Sequence, residues 1–588
     1  MKINLYQVFT RLFGNTNTNN RAWGSIDENG VGKFSDFNDV ALKAITDMGF
    51  THIWYTGALH HAMVTGYPDC KLPGDDPDVV KGRAGSPYSI KDYYNVNPDL
   101  ADNPANRLEE FEALIERSHR HGLKVILDIV PNHVARDYHS SGAPAGVEDF
   151  GAGDDVSMEY RRDNDFYYIP GQAFQVPKWE HGYQVLGGEA HPGADGFFKE
   201  DPAKWTGNGS RSARPHMHDW YEAVKINFGV KPDGSHDFPS LPAGFAEKDC
   251  EAHFEFWQSQ DVPGSWKKFR AIVSFWLEKG IDGFRYDMAE MVPCEFWSYL
   301  NSGIKMKNPE AFLLAEIYQP PIYRDFIRLG KMDYLYDKVQ LYDCLRAIMQ
   351  GQGSTDAIIG IQHELSDISC HMLHFLENHD EQRIASPEFA GDARKGMPAM
   401  VLSATISSGP TMVYFGQHVG EAAAERAGYG HPSRTSIYDY VGVPAHQAWM
   451  NGGLFDGGAL SKKGLELHQF YSRLLNFSKD SAALSGEYME IHSFNRAHTE
   501  WYNDRVFSYA RWKNEERLII VCNFDARDRF GFELQLPPQL QVNWSLQQGR
   551  HLLSDMLSDF QGQLLLEGSY AHVRIDLAPL QSLILKLE

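Results

Sequence analysis

Through the first four fifths of the chain, apolar positions follow two alternating periods. A stretch with apolar residues three and four places apart, the spacing of one helix face, leads to a glycine. A short continuous apolar run follows, and its last residues turn polar. Phe269, Ile272, Val273, Trp276 and Leu277 share one face of such a helix, opened by Gly264-Ser265 and closed by Gly280. The strand GIDGFRYD comes directly after it. The same order recurs in Leu108 to Gly122 before KVILDIVPNH, in Ala41 to Gly49 before FTHIWYTG, and in a helix over 392–409 before GPTMVYFG.

Eight strands are predicted, at 3–9, 51–57, 124–129, 283–287, 311–316, 333–337, 371–377 and 410–415. Strands alternating with helices imply a parallel sheet, and eight such units predict an α/β fold of the (β/α)8 TIM-barrel kind. An open doubly wound sheet is the alternative, and no Gly-rich phosphate loop follows the first strand to favour it. Residues 134–262 form a stretch rich in Gly, Pro, Asp, His and aromatics, too long for a structureless loop, so an inserted subdomain is expected after strand three. From about residue 485 the pattern changes to strict alternation, as in RVFSYARW and RLIIVCNF. The expected organisation is therefore a barrel over 1–133 and 263–484, an insert over 134–262, and a C-terminal antiparallel β-sandwich over 485–588.

Composition narrows the partners. The 588 residues carry 55 Lys+Arg against 78 Asp+Glu, a formal charge of −23 that repels nucleic-acid phosphates and anionic membranes. A neutral substrate fits better, and the 13 % of aromatic residues suits sugar rings, whose apolar faces stack on Trp, Tyr and Phe. No run reaches transmembrane length, and the N-terminal MKINLYQVFTRLFG lacks the apolar core of a signal peptide. The six cysteines are dispersed without metal-ligand or redox spacing, so a cytoplasmic protein with reduced thiols is expected.

A barrel of this kind carries its chemistry at the C-terminal ends of its strands. Four predicted strands end in polar residues: DIVPNH (128–133), GFRYD (283–287), LLAE (313–316) and FLENHD (375–380). Asp287 and Glu316 can supply the ionised and the protonated carboxyl that glycoside cleavage needs. Arg285, two residues before Asp287, points to the same side of its strand, where its charge is expected to lower the carboxyl's pKa. An aspartate ending one strand is usually a cap or turn residue, but four polar strand ends together are hard to explain that way. His133 and His379, each in an Asn-His pair at a strand end, join them as substrate-binding candidates. The nearest approaches to a histidine metal site, His60-His61 and His216-x-His218, do not make a metalloenzyme cluster.

These motifs resemble those of the α-amylase family of glycoside hydrolases and transglycosylases. The family's D-x-x-x-N-H signature stands as Asp128 to His133, G-F-R-x-D as Gly283 to Asp287, the glutamate motif as Ala315-Glu316, and N-H-D as Asn378-His379-Asp380. The resemblance implies a double displacement in which Asp287 attacks, Glu316 serves as acid and base, and Asp380 holds the distorted sugar. It implies that Tyr88, in Tyr88-Ser-Ile-Lys-Asp92, stacks under the sugar, with Asp92 structural. The substrate expected from it is an α-glucan or maltooligosaccharide, cleaved by water or transferred to a sugar acceptor. No cofactor is required for that chemistry, although Asn132 matches a structural calcium ligand of many members. Val224-Lys-Ile-Asn227 is similar to the motif near the end of their inserted subdomain. The Lys-His pair that many members place after the nucleophile is here Glu290-Met291.

Overall fold

A computed structural model of the chain describes residues 2–180, 182–423 and 426–588. Eight parallel strands carry its centre: β1 (Asn4–Phe9), β2 (His52–Thr56), β3 (Lys124–Ile129), β4 (Gly283–Tyr286), β5 (Phe312–Ala315), β6 (Tyr334–Tyr336), β7 (Met372–Leu373) and β8 (Thr411–Tyr414). Their hydrogen-bonded order is β7-β6-β5-β4-β3-β2-β1-β8, and a parallel bridge from His374 to Thr411 closes the ring. The expected barrel is present.

Alternation along these strands sorts residues into two cores. Leu5, Trp54, Ile126, Leu314, Leu373 and Met412 fill the barrel interior. Their neighbours Tyr6, Ile53, Val125, Leu313 and Val413 face outward and pack in the shell of helices. Two residues further along, the inward positions turn polar: Gln7 after Leu5, Thr56 after Trp54, Asp128 after Ile126, Glu316 after Leu314. The period of two thus lifts polar side chains onto one end of an otherwise apolar tube.

Element ends differ from the sequence pattern in two places. The helix expected over 392–409 is α-helical only over Met397–Thr405, entered by a 3-10 turn at Ala393–Gly396. Pro398 accounts for this, because proline is accommodated in a first turn and not in a helix interior. Strand seven is shorter than 371–377, since the chain past His374 leaves the ladder to form the rim.

The insert after β3 is mostly turns, stitched by two short antiparallel pairs, His133–Ala135 with Ala223–Lys225 and Tyr168–Ile169 with Ala203–Lys204. The helix Cys250–Gln258 returns to the barrel wall, where Trp257 Nε1 donates to Ser298 Oγ at 2.8 Å. A second excursion, between β2 and β3, pairs Leu59–His61 with Ile90–Val96 and carries Tyr88 to the mouth. Asp92 is structural there: its carboxylate accepts from Tyr94 N, Ser141 N and Ser141 Oγ at 2.7–2.9 Å.

Beyond the barrel lie β9 (Glu487–Glu490), β10 (Val506–Lys513), β11 (Glu516–Asn523), β12 (Phe530–Leu536), β13 (Gly549–Asp555), β14 (Gln561–Glu567), β15 (Tyr570–Leu577) and β16 (Ser582–Leu587). They form one antiparallel sheet in the order β9-β10-β11-β16-β13-β14-β15-β12. The sheet folds over a common core in which Ile519 and Val521 of β11 meet Phe532 and Leu534 of β12, so the layers of the expected sandwich are continuous. The opposite face of β10 and β11 adds Phe507, Tyr509, Leu518 and Ile520 to the barrel's outer core. Buried Arg511 reinforces that contact by donating to the carbonyls of Ile406 (2.6 Å) and Leu484 (2.5 Å).

Candidate active site

The polar strand ends converge on one cleft of about 580 Å³, lined by Tyr88, His133, Asp287, Glu316 and Asp380 among others. At its floor lies Arg285, with 0 % of its surface exposed. Its Nη1 donates to Asp287 Oδ1 at 3.0 Å and to Asp128 Oδ1 at 3.2 Å, and its Nη2 to Glu316 Oε2 at 2.5 Å. One planar guanidinium therefore sets the spacing and orientation of three carboxylates from three adjacent strands. Trp54 Nε1 fixes Asp128 from the other side at 2.8 Å, and the rings of Trp54, Tyr88 and Tyr336 surround the guanidinium.

The electrostatics correct one expectation. Burial is the largest influence on Asp287 and pushes its carboxyl well above the usual range; Arg285 pulls it down, while Glu316, Asp128 and Asp380 push it further up. Asp128 is likewise raised by burial, against Arg285. Burial therefore outweighs the shared Arg285 cation at both Asp287 and Asp128. Asp380 behaves differently. Burial raises it, but the His379 ring, Arg285 and Arg434 outweigh that and bring it to about 2. Its side chain remains 42 % exposed to the cleft.

His379 is the hinge of the opposite wall. Gln7 Nε2 lies 2.8 Å from its Nδ1, while its Nε2 lies 2.5 Å from Tyr88 Oη and 3.0 Å from Asp380 Oδ2. Tyr88 also stacks on the His379 ring at 5.1 Å. His133 receives Asn132 Nδ2 on its Nδ1 at 3.0 Å, which leaves Nε2 to bear the ring proton. Burial, with Lys225 and Lys81 nearby, lowers His133 to about 3 against a hydrogen bond to the Tyr88 backbone, so the ring stays neutral. All seven predicted catalytic and substrate-contact residues are thus gathered at this mouth.

Asn132 has a different role. Its Oδ1 accepts from the Lys225 ammonium, which also reaches Met291 O at 3.3 Å, and its Nδ2 donates to Gly207 O at 2.9 Å. The oxygen that would coordinate calcium holds an ammonium instead, and among the described residues no group of three His, Cys, Asp or Glu could hold a metal ion. The donor set does not fit calcium at Asn132.

Several cleft residues were not anticipated. Asp128 lay inside a recognised motif, and Tyr318 lies one alternation beyond Glu316. Lys81, Trp220, Glu222, Arg434 and Tyr438 come from loops with no periodic signal, and Lys338 opens the short helix Lys338–Tyr342. Lys81 and Glu222 form a buried ion pair of 2.7 Å, linking the excursion after β2 to the insert. Trp220, in the left-handed region at φ 48°, sits 5.4 Å from the His133 ring.

A closed parallel barrel with a paired aspartate and glutamate on one arginine at its C-terminal mouth defines a carboxylate-based glycosidase class of site. A model of the family described as alpha amylase, catalytic domain, matches residues 7–210 and 253–486. The chain belongs to the α-amylase family. It is 22 % identical over 476 residues to Alpha-amylase 3 of Dictyoglomus thermophilum, spanning 74 % of each chain. It is 20 % identical over 536 residues to a cyclomaltodextrinase of a Bacillus species, spanning 88 % of this chain and 72 % of that one. An α-1,4-glucan:maltose-1-phosphate maltosyltransferase of Cereibacter sphaeroides is 24 % identical over 307 residues, but this alignment spans only 51 % of this chain and 35 % of the relative. Among solved structures, the α-amylase of Geobacillus thermoleovorans complexed with acarbose superposes with a TM-score of 0.60 at 16 % identity, covering 100 % of this chain and 98 % of that one. A maltogenic α-amylase of Thermotoga neapolitana gives 0.58 at 17 %, covering 100 % and 98 %.

Proposed function

We propose that this chain is a retaining enzyme that cleaves or transfers α-glucosidic bonds of maltooligosaccharides or α-glucans. The observation that carries the reading is the Arg285 fork, which presents Asp287 and Glu316 together to one cleft. Oδ1 of Asp287 is held by Arg285, and among the described residues no hydrogen bond takes Oδ2, so that oxygen is free to attack the anomeric carbon. Glu316 gives its proton to the departing oxygen as the C–O bond breaks, and the sugar becomes an ester of Asp287. Water or a sugar hydroxyl then loses a proton to Glu316 and displaces Asp287. Asp380, His379 and His133 meet the ring hydroxyls, where the negative charge of Asp380 stabilises an oxocarbenium-like transition state.

Hydrolysis and transfer share every one of these groups and differ in which acceptor reaches the intermediate. Names among the relatives, α-amylase, cyclomaltodextrinase and maltosyltransferase, support both outcomes. No described helix is long and apolar enough to cross a membrane, and the six cysteines are free, which supports a cytoplasmic enzyme. The test is incubation with maltooligosaccharides, starch, isomaltose, sucrose and trehalose, recording product sizes and the first anomer by NMR. An α-anomer first is expected from an α-1,4-linked substrate. A β-anomer first rejects double displacement, and no turnover of any α-glucoside rejects the reading.

A further inference from the structure

The two oxygens of Glu316 are held differently. Oε2 receives Arg285 Nη2 at 2.5 Å and the backbone N–H of Met288 at 2.9 Å, two donors that cannot reverse. Oε1 meets only the Tyr318 hydroxyl among the described residues, at 2.6 Å, and a hydroxyl can donate or accept by rotating. A proton on Oε2 would displace one of its two donors, whereas a proton on Oε1 needs only that rotation. Tyr318 lines the cleft, and burial with the charges of Glu316 and Asp380 pushes its own ionisation well above the usual range, so it keeps its hydrogen.

Tyr318 is itself tied down. Glu290 Oε2 accepts its backbone N–H at 2.7 Å, and Ala289 N donates to Glu316 O at 3.1 Å. Glu290 belongs to the short turn Ala289–Met291, entered by Met288 at φ 43°, so the loop after β4 clamps the loop after β5. Glu290 occupies one of the two places where many family members put a Lys-His pair, and here it binds backbone.

We propose that Tyr318, anchored by Glu290, is the positioning residue that makes Oε1 of Glu316 the proton-carrying oxygen. The proposal deepens the glycosidase reading above and rests on it for its catalytic consequence. As acid, Glu316 passes the Oε1 proton to the leaving oxygen while the Tyr318 hydrogen swings back to the new carboxylate. As base, the carboxylate takes a proton from the incoming hydroxyl at Oε1, and Tyr318 rotates away. Among the described residues, the charged or titratable groups around Glu316 include Arg285 on β4, Asp287 just past its end, Tyr336 on β6, and Asp380 beyond β7, which faces Asp287 and Tyr318.

The full chain carrying Tyr318→Phe tests it. Removing a donor from the carboxylate disfavours its charged form, so the titration midpoint of the Glu316 carboxyl carbon, followed by 13C NMR and assigned against Glu316→Gln, is expected to rise by about one pH unit. The alkaline limb of kcat/KM should rise with it. Turnover of a maltooligosaccharide should fall roughly tenfold while an aryl glucoside with a good leaving group, which needs no proton, changes little. Glu290→Gln keeps the acceptor and should match the parent. Glu290→Ala should move the limb the same way, and combining it with Tyr318→Phe should add nothing. An unmoved midpoint overturns the proposal, and additive losses in the double variant overturn the anchor. Should the parent cleave no α-glucoside, the functional reading fails separately, and the NMR comparison still decides whether Tyr318 controls the Glu316 carboxyl.

Discussion

Replacing Arg285 with methionine keeps most of the side-chain volume and removes the guanidinium that bonds Asp287, Glu316 and Asp128. Three charge-assisted contacts are lost, to Glu316 (2.5 Å), Asp287 (3.0 Å) and Asp128 (3.2 Å), and the carboxylates stay buried. Stranding buried charges in this way costs about 3–5 kcal/mol near pH 7. For a cooperative unit of roughly 480 residues the unfolding entropy is near 1 kcal/mol per kelvin, so Tm should fall by about 3–5 °C. The sign with pH follows from the two acids raised by burial, Asp287 and Asp128. A carboxyl raised in the folded state binds more protons there than in the unfolded chain. Its penalty is absent below the unfolded value near 3.9 and grows as pH rises toward the folded value. Without Arg285 both acids are raised further, so the variant's Tm deficit should shrink to about 1 °C at pH 4 and widen toward neutrality. Calorimetry of both proteins from pH 4 to 8 reads it. A deficit that is constant with pH, or larger in acid, would refute the picture of one cation balancing three buried acids.

Asp287→Asn should lower kcat by roughly 10⁴-fold or more while leaving cooperative unfolding intact; a variant with normal turnover would remove the nucleophile assignment. Asp380→Asn should cut turnover strongly but change stability by less than about 1 kcal/mol at pH 7, because the side chain is partly exposed and screened. Its depressed carboxyl contributes stability present above about pH 4 and lost as pH falls toward 2, so the two proteins should converge in acid. EDTA should leave the parent's Tm and activity unchanged, whereas Lys225→Met, which strands Asn132 Oδ1, should lower Tm by about 2 °C. A chelator-induced drop in the parent would show that calcium is held after all.

The barrel was readable because its two periods are local. A helix face, a glycine and an apolar run each fit within a dozen residues, and the inward alternation carries Asp128, Arg285 and Glu316 to one rim without reference to distant sequence. Tyr88 and His379 were named as candidates, but their contact joins positions 291 residues apart in the chain, and nothing local signals it. Lys81, Glu222, Trp220, Arg434 and Tyr438 were missed for the same reason: each lies on a loop whose course is set by tertiary closure. Asn132 shows the opposite failure. Its motif was correctly recognised, yet the partner that decides its chemistry, Lys225, enters from the far end of the insert.

The protonation of the acids was the least legible feature, and the reason is physical. Arg285 beside Asp287 in sequence suggests a carboxylate held down by its neighbour. In the fold the same guanidinium is shared with Glu316 and Asp128, and burial pushes Asp287 and Asp128 up against it. One cation divided among three acids does not offset the burial of Asp287 and Asp128, while the hydrogen-bond pattern separates the two oxygens of Glu316. Oε2 of Glu316 is saturated by donors that cannot turn, while Oε1 meets one that can. On the proposed reading, the division of labour between nucleophile and acid arises from how donors are distributed around the carboxyls, a property of three strands and two loops together rather than of any motif.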